Sequence, residues 1–126
     1  MRPLAALRGW LARLRPAPVA PLRGPGAELA RSVSFSTHAV QRFVERGPYA
    51  PGDGDATAAL RRLVAAGGRR ANRPPKWFGG KRAGSAFWIV VDDRYVLPVS
   101  MGRPGQLARR GMNPYVATTF VARRRR

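Results

Sequence analysis

His38, Arg42, Glu45 and Arg46 fall within one short stretch and are of the types that move protons and hold phosphate. A helix turns about 100° per residue, so with His38 at zero, Arg42 lies near 40°, Arg46 near 80° and Glu45 near −20°. Ala39, Val40, Phe43 and Val44 take roughly 100° to 240°, which gives an apolar face and a charged one. The charged face suits metal-independent phosphodiester chemistry. His titrates near neutrality, a carboxylate can act as a base, and guanidinium groups stabilise charge developing on phosphorus. A solvated helix face with i, i+4 charge contacts presents the same pattern.

The elements that would position this face can be read from caps and turns. Val33, Ser34 and Phe35 suit a short strand, and Ser36 or Thr37 can cap a helix running to Arg46, closed by Gly47 and Pro48. Asp53 or Asp55 caps a second helix through Ala66, whose Ala56, Leu60, Leu63 and Val64 form an apolar stripe. Arg73 to Trp77 reads as an irregular strand. Phe87 to Val91 and Tyr95 to Val99 read as a hairpin about the turn Asp92-Asp93-Arg94. Pro98 assigns the return strand to an edge or a bulge. Ser100 to Pro114 reads as a long Gly- and Arg-rich loop. Tyr115 to Val121 closes the fold as a strand, with Val116, Thr118 and Phe120 on one side and Tyr115, Ala117 and Thr119 on the other. The fold class is α+β: two helices packed on an antiparallel sheet of about four strands, spanning 33–122. Residues 1–32 form a basic, Pro-rich extension, and 123–126 an Arg tail.

Composition narrows the partners. The 126 residues hold 24 Lys and Arg against 6 Asp and Glu, a net charge of +18. Only Lys76 and Lys81 are lysines. A surplus of this size attracts a polyanion through counterion release, and Arg favours bidentate phosphate contact, so RNA is the expected partner. Arg69, Arg70, Arg73, Lys76, Trp77, Lys81 and Arg82 are candidate nucleic-acid contacts, with Trp77 and Phe78 placed either to stack on bases or to join the core. Arg103, Arg109 and Arg110 in the long loop extend the set. With no Cys and one His, neither a thiolate nor a multi-histidine metal site is available. No cofactor or metal is expected.

The longest apolar run, Ala86 to Val91, is far shorter than the ~18 residues of a membrane span, and a cytoplasmic location is expected. In the extension, Leu4, Leu7, Leu11 and Leu14 repeat at helical spacing beside Trp10. It reads as a basic arm, a surface-binding helix or an organelle transit peptide. Asp53-Gly54-Asp55 and Asp92-Asp93 read as a cap and a turn rather than as metal sites, and Gly79-Gly80-Lys81 lacks the spacing of a P-loop.

The run Ser36-Thr37-His38-Ala39-Val40-Gln41-Arg42-Phe43-Val44-Glu45-Arg46-Gly47 resembles the segment that opens small RelE-like ribonuclease and toxin domains of the barnase, EndoU, colicin and RelE group. The resemblance covers about 33–122. It implies a metal-independent RNA endonuclease acting through 2′-hydroxyl attack, with His38, Arg42 and Arg46 against the sheet and Thr118 or Thr119 facing the same cleft. It also implies an acidic, antitoxin-like protein partner. The residues alone leave a second reading open, a non-catalytic RNA-binding or ribonucleoprotein-assembly module in which the same face only holds phosphate.

Overall fold

The computed structural model describes residues 22–79, 85–101 and 114–124. Chain order is α1 (Ala27–Arg31), β1 (Val33–Phe35), α2 (Thr37–Arg46), a 3-10 turn (Pro51–Asp53), α3 (Ala56–Gly67), β2 (Gly68–Ala71), β3 (Phe87–Val91), β4 (Tyr95–Met101), β5 (Tyr115–Ala117) and β6 (Val121–Ala122). The α+β class stands. The sheet departs from the expected four antiparallel strands: six strands form a mixed sheet in the order β1-β5-β4-β3-β2, with β6 also paired to β4. β1 runs parallel to β5, Val33 opposite Tyr115, while the other pairings are antiparallel. A parallel pair needs a long crossover, and here α2, α3 and β2 to β4 lie between its two strands.

Both main helices start where polar caps stand. Ser36 Oγ accepts from the Ala39 amide at 3.0 Å, and Asp55 Oδ2 from the Ala58 amide at 2.9 Å. Each satisfies an amide that the first turn otherwise leaves without a partner. Phe43 of α2 and Leu60 and Val64 of α3 are buried against Phe87, Ile89, Val91, Leu97, Val99 and Phe120 on one face of the sheet. Trp88, Val90 and Val96 point to the other face, where Ala71, Trp77 and Phe78 cover them. β3 is therefore buried on both sides, which accounts for its unbroken apolar sequence.

The domain reaches further toward the N-terminus than residue 33. Ala30 of α1 is fully buried, and Leu22, Ala27 and Leu29 pack on the same core. The Gly26 amide donates to the Ala65 carbonyl at 2.9 Å, and a Cβ at Gly26 would overlap the Val64 carbonyl, so only glycine permits α1 to approach α3 this closely. Arg61 Nη1 donates to the carbonyls of Ala30 and Val33, and its guanidinium lies 4.8 Å from the centre of the Phe35 ring. Burial lowers its pKa from the ordinary arginine value. Arg61 is thus a strut between α1 and β1.

Two strand expectations are corrected. No strand occupies Arg73 to Trp77. The strand before the hairpin is Gly68–Ala71, directly after α3, and its exposed Arg69 and Arg70 suit the sheet edge it forms. Pro98 lies not at an edge but inside β4, buried between neighbours on both sides. The bulge half of that expectation holds. Val99 pairs with Ala117 and Val96 with Val121, so Leu97 and Pro98 face three residues, Thr118, Thr119 and Phe120. One extra residue on one strand is a β-bulge. Its effect on side-chain direction is visible, because Ala117 and Phe120 are both buried although strict alternation would turn Thr119 inward.

Candidate nucleic-acid interface

The bulge is where the helix with the charged face meets the sheet. Residues 98 and 118 stand opposite each other, and the Thr118 amide donates to the Pro98 carbonyl at 3.0 Å. In an antiparallel pair the reciprocal bond would run from the residue 98 amide to the Thr118 carbonyl, but proline has no N–H. Ser36 Oγ supplies the missing donor, reaching the Thr118 carbonyl at 3.0 Å while accepting from Ala39. One hydroxyl therefore caps α2 and fastens it to the bulge. Thr118 is exposed, its Oγ1 3.3 Å from the Pro98 carbonyl oxygen, and Thr119 is half-buried.

From that anchor α2 runs along the segment 118–124. The Phe43 ring packs edge-on against Phe120 at 5.5 Å and against Tyr49 at 5.6 Å. The Gly47 position is closed by Phe43 and Phe120, leaving no room for a side chain. His38 is exposed on the first turn, Arg42 is half-buried one turn on, and Arg46 is exposed one turn further. The row i, i+4, i+8 thus rises about 12 Å from His38 to Arg46. Glu45 leaves this row: its Oε2 accepts from Arg42 Nη1 at 3.2 Å, and it lines a cleft on the other flank of α2 with Phe35, Thr37, Val40, Gln41, Val44 and Thr57.

Arg46 borders a second, polar cleft of about 470 Å³ with Asp92, Asp93, Arg94, Tyr95, Ala122, Arg123 and Arg124. His38 and Arg42 line neither cleft. The hairpin turn forms one wall. Asp92 and Asp93 have φ of 50° and 53°, the positive pair that a type I′ turn requires and that Asp tolerates. Asp93 gathers the cleft's edge: Oδ1 accepts from Trp77 Nε1 at 3.0 Å and Oδ2 from Arg123 Nη1 at 2.9 Å. Arg123 also lies 5.9 Å from the centre of the Trp77 ring.

The expected nucleic-acid contacts are divided. Arg69 and Arg70 sit on edge strand β2, with the Arg70 guanidinium 4.1 Å from the centre of the Phe87 ring. β2 lies three strands from β6, or about 14 Å, and its two arginines, opposite Val90 and Ile89, turn to opposite faces of the sheet, so they stand apart from the α2 row and from each other. Arg73 and Lys76 are exposed in the segment that follows, and the half-buried Trp77 packs on Trp88, Val90 and Val96. Lys81, Arg82, Arg103, Arg109 and Arg110 lie outside the described residues, as do Leu4 to Leu14. Arg94, Arg123 and Arg124 join the candidate interface only through the fold. The signal available in sequence was charge at the turn and in the tail, which fixes no position. Among the described residues no three His, Asp or Glu side chains stand close enough to hold a metal ion, and no helix is long and apolar enough to cross a membrane. No known family model, curated protein or solved structure matches the chain.

Proposed function

We propose that the protein binds single-stranded RNA along α2 and cleaves it without a metal, by attack of a 2′-hydroxyl on the adjacent phosphorus. The observation that carries this reading is the row His38, Arg42, Arg46 on a helix whose N-terminus is fastened to the Thr118–Thr119 bulge by Ser36. The net charge of +18 draws the phosphate backbone to it.

In this mechanism His38 takes the proton of the 2′-hydroxyl as the 2′-oxygen bonds to phosphorus. Arg42 stabilises the added charge on the non-bridging oxygens, and a threonine hydroxyl of the bulge orients the phosphate. The bond from phosphorus to the 5′-oxygen then breaks. Glu45 is engaged by Arg42 and faces the opposite cleft, and Tyr95 borders the Arg46 cleft about 12 Å along the helix. The leaving 5′-oxygen therefore takes its proton from water, which the exposure of His38 admits. The hydroxide formed is neutralised by the proton on His38, and the products carry a 2′,3′-cyclic phosphate and a 5′-hydroxyl.

The exposure of His38, and its position outside both clefts, favours a second reading in which the same row holds RNA without cutting it. Labelled RNA incubated with the full chain in chelator separates the two. Cleavage is expected to give cyclic-phosphate ends and to fall on the order of 10²-fold or more in His38→Ala. Tight binding with no such product, or equal cutting by His38→Ala, leaves the binding module.

A further inference from the structure

The cleft between α2 and the hairpin turn has a charge balance that its own residues do not resolve. Four arginines, Arg46, Arg94, Arg123 and Arg124, border it with two aspartates. Both oxygens of Asp93 are engaged, by Trp77 and by Arg123. The Asp92 carboxylate lies against Gly67 at the end of α3, close enough that a Cβ there would stand 2.5 Å from its Oδ1. Arg46, Arg94 and Arg124 form no ion pair among the described residues. Like charges held together on a concave surface repel one another, and an anion relieves that repulsion. The walls are held in place on three sides. The Arg123 amide donates to the Arg94 carbonyl at 2.7 Å, the turn is closed by the Arg94 amide on the Val91 carbonyl at 2.9 Å, and Tyr95 stacks on Phe120 at 5.1 Å.

The geometry points to a second phosphate-binding site at this cleft, where Arg46, Arg94 and Arg124 hold a backbone phosphate of the RNA strand whose reacting phosphate lies at His38. The inference rests on the RNA reading above and adds a position and a direction to it. His38 and Arg46 are separated by about 12 Å along the axis, too far to share one phosphate through their backbone positions. At about 3.4 Å per stacked nucleotide that distance spans three to four residues of a strand, so the two sites engage different phosphates of one chain. The strand then runs from the bulge, over Arg42, to the hairpin turn. Arg46 belongs to both, as the last member of the row and the first wall of the cleft.

The test compares salt dependence of binding to a fluorescent single-stranded oligouridylate of twelve nucleotides, each protein carrying His38→Ala so that the probe stays intact. Arg94→Gln/Arg124→Gln is set against Arg23→Gln/Arg62→Gln, which removes the same charge from two other exposed positions, and against Arg94→Lys/Arg124→Lys, which keeps the charge at the cleft. Each phosphate contact contributes about 0.7 to the slope of log affinity against log salt for a single strand. The cleft glutamine pair is expected to flatten the slope by about 0.7, the loss of one phosphate contact, the lysine pair by less than half of that, and the Arg23/Arg62 pair likewise. An unchanged slope in the cleft glutamine pair, with the parent still binding, overturns the second site and leaves the RNA reading in place. An equal change in the Arg23/Arg62 pair overturns it too, since the effect is then one of overall charge. Absence of binding by the parent overturns the RNA reading itself. Thermal unfolding of each variant confirms that the exposed substitutions leave the fold intact.

Discussion

Ser36 shows how one side chain can carry a local and a long-range duty at once. Its Oγ accepts from the Ala39 amide and donates to the Thr118 carbonyl, which Pro98 on the facing strand cannot serve. Cap residues replaced by alanine lose about 1 kcal/mol, and a backbone acceptor stripped of its donor adds about the same again. Ser36→Ala is therefore expected to destabilise the protein by about 2 kcal/mol in denaturant unfolding. In a Pro98→Ala background the residue 98 amide is restored and aims at the Thr118 carbonyl, so the same Ser36→Ala change should cost only the cap. A double-mutant cycle should return a coupling of about 0.5 to 1 kcal/mol, and strict additivity would show that the two residues do not serve one acceptor.

At the scale of elements, the bulge decides what the last strand presents. With Ala117 and Phe120 both turned to the core, the extra residue leaves Thr118 and Thr119 outside the alternation, next to the start of α2. Deleting Thr119 restores two residues opposite Leu97 and Pro98, and keeps Phe120 facing the core beside Leu97. Cooperative unfolding should persist in that variant, while cleavage should fall by about 10-fold or more, because the strand no longer bends at α2 and misplacement of about 1 Å is enough to slow a reaction on that order. Loss of cooperative unfolding would show that the bulge is needed for folding, and full activity would show that it has no part in cleavage. The helices α2 and α3 and the hairpin were legible because their signals are local: Ser36 and Asp55 as caps, Phe87 to Val91 as an apolar run, Asp92-Asp93 as a turn. The bulge was half legible through Pro98. The parallel pairing of β1 with β5, and the cleft that joins Arg46 to Arg94 and Arg124, depend on contacts across most of the chain and leave no periodic trace. β2 was missed because Gly68-Arg69-Arg70-Ala71 carries the polar residues of an edge rather than the apolar ones of a core.

Over the whole molecule, the division between extension and domain falls earlier than composition implies. The stretch from Arg23 to Arg31 is rich in Gly and charge, which reads as unpacked chain, yet the glycines are what let α1 lie against α3. A chain beginning at Ser32 would lack Leu22, Leu29 and Ala30 from the core, the Gly26 bond to Ala65, and one of the two carbonyls that Arg61 Nη1 binds. Burying a leucine side chain contributes about 1.5 to 3 kcal/mol when complete, and these leucines are partly buried, so with the lost hydrogen bonds the sum is about 3 kcal/mol or more. That is a large share of the ~5 to 15 kcal/mol by which a domain of this size is stable. A chain beginning at Leu22 keeps every one of these contacts. Thermal unfolding of the two truncations is expected to give a cooperative transition for the Leu22 start, near that of the full chain. The Ser32 start should show a transition lowered by 10 °C or more, or none, on the scale of about 4 to 8 °C per kcal/mol for a small domain. Equal midpoints for the two would show that α1 rests on the domain without supporting it.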